Sequence, residues 1–175
     1  MDVFINIIGI VALIVTILGI LFKEKEKVML FFSIYFILML STYFLKNNYA
    51  GSLLVLIGLL RSLTYYFFSK KQLKPNLYIM LLFEVAFIIG VITTWTSALT
   101  LIVLFNFMII TYTSWQDNMT LFRISCAVIS PFMIFYNLYI GAYMLIACEV
   151  LYFLAILVSI YKNDILFYKK QKSTN

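Results

Sequence analysis

The sequence predicts an all-α membrane protein with seven transmembrane helices, arranged as two parallel three-helix repeats joined by a linker helix. Three observations lead to this fold class. Hydrophobic residues make up 65% of the 175-residue chain and charged residues 11%. Soluble domains are instead about half apolar and about a quarter charged. The apolar stretches are long enough to cross a bilayer, and a similar unit recurs 90 residues along the chain.

Polar turns separate the predicted spans. About 20 helical residues cross the hydrocarbon core, so the stretches Leu77–Thr113 and Met119–Tyr161 are each too long for one crossing. The first is divided at the polar cluster Thr93–Ser97 and the second at Asn137–Gly141. The predicted spans are Val3–Phe22, Val28–Leu45, Ala50–Ser69, Leu77–Thr94, Ala98–Thr113, Met119–Tyr136 and Tyr139–Tyr161.

The distribution of lysines predicts on which side of the membrane each terminus lies. In the seven-span reading, only Lys46 falls in a loop on the outer side. Cytoplasmic loops carry an excess of basic residues, so the distribution predicts an N-terminus outside and a C-terminus in the cytoplasm. The lysines of the inner loops and the tail are Lys23, Lys25, Lys27, Lys70, Lys71, Lys74, Lys162, Lys169, Lys170 and Lys172.

An internal repeat is indicated by residues that match at one offset of 90 positions. The matched pairs are Asn47/Asn137, Tyr49/Tyr139, Gly51/Gly141 and Ser69/Ser159. The same offset places spans one, two and three on spans five, six and seven, which leaves span four as a linker. We therefore predict one membrane domain, divided into a first triple-helix repeat (1–70), a linker with the fourth helix (71–95), a second repeat (96–162) and a polar cytoplasmic tail (163–175).

Composition excludes several classes of function. The chain has no histidine, and Cys126 and Cys148 both lie inside apolar runs, where a cysteine acts as a small hydrophobe. No nucleophile set or ligand cluster is evident, so we expect neither an enzyme nor a metal or cofactor site. The net charge of +6 is spread along the predicted inner face and does not indicate nucleic-acid binding.

Four ionisable residues fall within predicted spans: Arg61, Glu84, Arg123 and Glu149. Each would cost about 2.5–3.5 kcal/mol at a lipid-facing centre, so each is expected inside the bundle or near an interface. Arg61 and Glu84 lie about 12 Å from the inner ends of consecutive spans, which predicts an ion pair that clamps the first repeat to the linker. Arg123 lies near the inner face and is predicted to snorkel to the interface or to bind lipid phosphate.

Glu149 lies near the membrane midplane, without an evident cation at its depth. It is interpreted either as a substrate or proton site or as a structural hydrogen-bonding group. Asn106 and its repeat mate Thr16 lie at the middle of equivalent spans. They either line a central site or form hydrogen bonds between helices, each worth about 0.6–2 kcal/mol. The candidates for a substrate pathway are thus Glu149, Arg61, Asn106 and Thr16.

Each half of the chain contains its own set of short motifs in a characteristic order. They are Leu30-Phe31-Phe32, Tyr43-Phe44-Leu45, Ala50-Gly51 and Arg61, then Ile129-Ser130-Pro131, Tyr136-Asn137, Ile140-Gly141 and Glu149. Through them the chain resembles the YgjV-like bacterial inner-membrane proteins over nearly its full length. The resemblance implies a location in the bacterial inner membrane but no established activity. Members of that family often carry asparagine where this chain has Gly58, so a role of that asparagine does not carry over.

The three-one-three plan is similar to that of the SWEET sugar facilitators and the PnuC vitamin-precursor transporters, which implies transport by architectural analogy. One departure concerns proline. Pro131 in span six has Ser41 as its repeat mate, so helix bending at paired prolines, as in SWEET proteins, does not transfer directly.

Two functional hypotheses follow. The first is a small-solute facilitator or carrier, in which two triple-helix bundles rock about a mid-membrane polar site. Tyr65 and Tyr152, about one turn from Arg61 and Glu149, could line that site. The alternative is a non-transporting accessory, immunity or assembly protein that acts through its helix faces. The expected partners are the lipid bilayer and a small solute, and a homo-oligomer is compatible with the sequence.

Overall fold

The structure, a computed structural model, describes residues 2–45, 49–95, 97–139, 141 and 143–165. Asn47 of the predicted repeat and residues 166–175 of the predicted tail lie outside the described residues. Seven α-helices and no strand occur in the described ranges. The helices are α1 (Asp2–Leu21), α2 (Lys25–Leu45), α3 (Tyr49–Lys70), α4 (Leu77–Thr93), α5 (Thr100–Trp115), α6 (Met119–Tyr139) and α7 (Tyr143–Ile160), followed by a π-helical turn (Tyr161–Ile165).

Every predicted span corresponds to one of these helices, but the helices differ in length. By length and composition, α1, α2, α3, α6 and α7 with its π-helical turn can cross a membrane. Helices α4 and α5 are also apolar but have only 17 and 16 residues. They extend about 24–26 Å, short of the roughly 30 Å hydrocarbon core.

Local chemistry explains where helices begin and end. Pro75 precedes α4, and the Asn76 side chain caps this helix by accepting a hydrogen bond from the N–H of Tyr78. The predicted break at Asn137 is slightly misplaced, because α6 continues to Tyr139. Gly141 then adopts a φ of 69° in the turn before α7, a conformation that glycine adopts at little cost.

Helices that are consecutive in sequence pack against each other, and the ends of the series also meet. Helix α1 contacts α2 and α7, α3 contacts α4 and α5, and α6 contacts α5 and α7. The described helices thus form a closed series around the bundle. The middle helix of each predicted triplet, α2 or α6, packs between its two neighbours.

A buried hydrophobic cluster joins the two halves of the chain. Its members come from α1, α2, α3, α6 and α7, and are Ile20, Val28, Met29, Tyr65, Phe122, Cys126 and Ile156. Outside this core, large apolar side chains such as Leu82, Val128 and Leu154 are exposed. An apolar exterior of this extent is suited to lipid and unsuited to water.

Gly19 permits a close approach of α1 to α2. A Cβ atom at this position would lie 2.7 Å from the Cβ of Phe31 and 3.9 Å from its Cα, so the helices would have to separate. We expect Gly19→Val to lower the free energy of unfolding by about 1–3 kcal/mol. Gly9→Val on the same helix is the matched control, because nothing lies within 4 Å of its Cβ position. Equal losses of thermal stability in detergent for both variants would contradict this packing.

Candidate functional site

Arg61 on α3 is buried inside the bundle, with only 3% of its surface exposed. Its Nη1 atom donates hydrogen bonds to Oγ1 of Thr111 at 2.9 Å and to the carbonyl oxygen of Phe107 at 3.4 Å. The guanidinium carbon lies 5.3 Å from the ring centroid of Phe87 and 6.0 Å from that of Phe36. Neutral acceptors and aromatic faces from α2, α4 and α5 therefore hold this cation.

The predicted Arg61–Glu84 ion pair does not form among the described residues. Arg61 points toward the face of α5 that carries Phe107 and the fully buried Thr111. Glu84 instead lines a groove on another side of the α4–α5 contact. Equal depth in the membrane is not sufficient for an ion pair, because the side chains of Arg61 and Glu84 point in different directions.

Arg61 retains unused hydrogen-bonding capacity. A guanidinium has five N–H donors, and in the described part of the chain only those on Nη1 have an acceptor. A buried cation held without a carboxylate is costly to maintain. Its free donors are therefore suited to a polar or anionic ligand.

Glu149 on α7 is half-buried, and its carboxylate has no hydrogen bond or ion pair within the described ranges. It interacts electrostatically with Tyr35 on α2, Cys126 on α6 and Tyr152 on its own helix. The charge of Arg61 also acts on Cys126. Cys126 therefore lies within electrostatic range of Arg61, Arg123 and Glu149.

These groups define what we call the interior polar cluster, which consists of Tyr35, Arg61, Tyr65, Cys126, Glu149 and Tyr152. The hydroxyl of Tyr65 is fully buried and has no hydrogen-bond partner among the described residues, although Arg61 acts on it electrostatically. Tyr35 was missed at the level of sequence, and Cys126 was interpreted only as a small hydrophobe. No spacing signal links them to the charges, because the cluster is assembled from four different helices.

Thr16 and Asn106 are the other two predicted pathway residues. No hydrogen bond or ion pair among the described residues joins them to this cluster. Thr16 is buried, and its hydroxyl donates to the carbonyl oxygen of Ala12 at 2.8 Å, within its own helix. Asn106 is half-buried and precedes Phe107, whose carbonyl accepts from Arg61. Their participation in a shared site remains a prediction.

Arg123 differs from its predicted role as a lipid contact. Only 1% of its surface is exposed, and its Nη1 atom lies 3.0 and 3.3 Å from the two carboxylate oxygens of Asp164. Its Nη2 atom donates to the carbonyl oxygen of Phe22 at 2.7 Å. Asp164 belongs to the π-helical turn after α7, a segment predicted to be the start of a solvated tail. Arg123 is thus buried and paired with the carboxylate of Asp164, in place of the expected lipid phosphate.

Further hydrogen bonds surround this ion pair. Thr120 donates to Asp164 at 2.7 Å, Ser159 donates to the carbonyl oxygen of Ile20 at 2.6 Å, and Asn163 donates to that of Leu21 at 3.0 Å. The last two satisfy carbonyls at the C-terminal end of α1, which have no partner within the helix. We call the set Thr120, Arg123, Ser159, Asn163 and Asp164 the terminal clasp, because it fixes the end of α1 to α6 and α7.

Comparison with curated proteins and with solved structures gives no match to this chain. The family model Imp-YgjV, described as a bacterial inner membrane protein, matches residues 3–166. The match confirms the resemblance seen in the motifs and the location in the bacterial inner membrane, in agreement with the apolar helices. The chain belongs to the Imp-YgjV family of bacterial inner membrane proteins.

Proposed function

We propose that the protein is a facilitator or carrier for a small polar or charged solute, and that the interior polar cluster is its binding site. One observation carries the proposal: Arg61 and Glu149 are opposite charges inside one bundle, and neither has an ionic partner among the described residues. Unpaired ionisable residues within membrane helices are costly and commonly mark substrate or ion pathways.

The chemistry of the cluster indicates which solutes it would accept. The free N–H groups of Arg61 suit a carboxylate or phosphate, which a guanidinium can bind through two parallel hydrogen bonds. The Glu149 carboxylate can accept hydrogen bonds from an ammonium, amide or hydroxyl group. The hydroxyls of Tyr35, Tyr65 and Tyr152 can orient a polar body. A small solute with an acidic group and a separate hydrogen-bond donor fits this set.

The proposed mechanism uses the three-one-three plan, with the N-terminus outside and the C-terminus inside. The shared packing order of the two triplets, the 90-residue offset and the lysine distribution support this plan. In the proposed cycle the two triplets rock about the cluster. The terminal clasp links α1 to α6 and α7, so opening of that end requires rupture of the Arg123–Asp164 pair.

A panel experiment tests the proposal. Purified protein would be tested for melting-temperature shifts with small organic acids, amino acids, phosphorylated compounds, sugars and vitamin precursors, and each stabilising solute would be tested for uptake into proteoliposomes. The proposal predicts at least one solute with saturable uptake. If no panel member shifts the melting temperature or enters the liposomes, the proposal fails.

Glu149→Gln is expected to reduce uptake of such a solute by about tenfold or more, because the amide retains the volume of the side chain but removes the charge. Expression and melting temperature should stay close to those of the parent. Glu26→Gln is the matched control, since Glu26 lies in the first turn of α2 and does not belong to the cluster. Unchanged uptake by Glu149→Gln would exclude the cluster as the site.

The buried core that joins both halves favours a second candidate, a static membrane accessory, immunity or assembly protein. Such a protein would keep its interior closed and bind another protein through its helix faces. Recovery of one stoichiometric partner from the membrane, together with the absence of any solute response, would support this candidate over the carrier.

A further inference from the structure

A groove of about 400 Å³ lies between α4 and α5. It is lined by Leu81 and Glu84 from α4, and by Phe105, Met108 and Tyr112 from α5, among others. Leu81, Phe105 and Tyr112 are exposed on the outside of the bundle. The groove therefore opens toward the surrounding bilayer and is distinct from the interior polar cluster. The groove is shallow and open, and its lining is almost entirely apolar.

Glu84 is the single ionisable carboxylate in the lining of this groove. It is the eighth residue of α4, about 10 Å from the start of the helix. It forms no hydrogen bond or ion pair among the described residues. The charge of Arg61 acts on it only at longer range, because the guanidinium donates its hydrogen bonds to α5. A carboxylate at this depth that faces lipid is unfavourable unless a cation or a proton accompanies it.

We propose that the groove binds a lipophilic organic cation, a protonated amine or an onium ion with apolar substituents, that enters from the bilayer. The positive centre would pair with the Glu84 carboxylate. The rings of Phe105 and Tyr112 can face the cation, and Leu81 and Met108 can contact its apolar groups. An anion or a strongly hydrated solute has no matching group in this lining.

A second copy of the chain does not fit the groove as well. Its arginines, Arg61 and Arg123, are buried inside the bundle. The lysines of the described residues lie at or beyond helix ends, as Lys25 and Lys70 do. The described residues of a second copy therefore offer no exposed cation at the depth of Glu84. The amine of a zwitterionic lipid headgroup stays at the interface, whereas a lipophilic cation dissolves at the required depth.

The test uses the full chain in lipid nanodiscs, with radiolabelled tetraphenylphosphonium as the probe and equilibrium dialysis as the measurement. Empty nanodiscs give the partition into lipid. We expect saturable binding of one probe per chain above that baseline. Glu84→Gln should weaken binding by about tenfold or more, which corresponds to about 1.4 kcal/mol or more. Glu26→Gln, a matched loss of a carboxylate outside the groove, should leave binding unchanged.

A steric variant keeps the test decisive if Glu84→Gln fails to fold. Met108→Trp retains the charge but fills the groove, and it should also reduce probe binding. Three results would overturn the proposal: binding no greater than in empty nanodiscs, equal affinity in the parent and both variants, or saturable binding only in nanodiscs that hold two chains. The last result would assign the groove to an interface between copies.

Discussion

Asp164→Ala is expected to lower the free energy of unfolding by about 3–5 kcal/mol, because it leaves a buried guanidinium without its carboxylate. Arg123 is 1% exposed, and Asp164 is its ionic partner at 3.0 Å. The substitution also removes the acceptor for the hydroxyl of Thr120. Chemical or thermal unfolding of the detergent-purified protein measures the loss, which should be accompanied by detachment of the chain after α7.

Asp117→Ala is the matched control for this prediction. Asp117 also pairs with a basic residue, Lys25, at 2.9 Å, but its side chain is 66% exposed. Solvent screens such a pair, so its loss should cost at most about 1 kcal/mol. Equal effects of the two substitutions, or a negligible effect of Asp164→Ala, would show that the terminal clasp does not hold the fold together.

Arg61→Met is expected to change activity and stability in opposite directions. The substitution replaces a buried cation that has no carboxylate partner by an apolar side chain of similar length. Replacement of buried charges by apolar groups is often neutral, or stabilises by about 1–4 kcal/mol. Loss of a charged ligand contact should at the same time weaken solute binding by about 2–5 kcal/mol, which would abolish measurable uptake. Unfolding curves and proteoliposome uptake measure the two effects on the same preparation.

Arg61→Lys separates charge from geometry in this comparison. Lysine retains the positive charge but lacks the planar fork that binds a carboxylate or phosphate through two hydrogen bonds. We expect uptake between that of the parent and that of Arg61→Met. If Arg61→Met instead unfolds the protein, the arginine is a structural clamp. If its uptake is unchanged, Arg61 does not contact the solute.

The sequence predicts how far along its helix each residue lies. It does not predict in which direction around the helix axis the side chain points. The rise of 1.5 Å per residue and the polar turns locate every helix and the depth of Arg61, Glu84 and Glu149. What a side chain contacts depends on which helices pack against its own helix. Because the helices are apolar on nearly all sides, the sequence gives little indication of those packing partners. Equal depth therefore predicts a pair between Arg61 and Glu84. In the structure Arg61 bonds to Thr111 on α5, whereas Glu84 lines the groove on another side of the α4–α5 contact.

The terminal clasp illustrates a second limit. Asp164 follows the last apolar run, and polar residues after a final span are ordinarily solvated. A π-helical turn returns this residue to Arg123, and the carbonyl of Phe22 completes the contact from the other end of the chain. No local pattern indicates that approach, since the partners are separated by 41 and 101 residues. Cys126 was likewise identified only through its neighbours on other helices.

The central claim, that water and solute reach the interior polar cluster during a transport cycle, is tested most directly by the reactivity of Cys126. This thiol is 3% exposed in the present conformation. If the protein is a carrier, a charged, membrane-impermeant methanethiosulfonate reagent should modify Cys126 in the folded Cys148→Ser variant. Val91→Cys in a cysteine-free background, buried on α4 outside the cluster, should stay unmodified. A Cys126 that reacts only after denaturation would contradict the account.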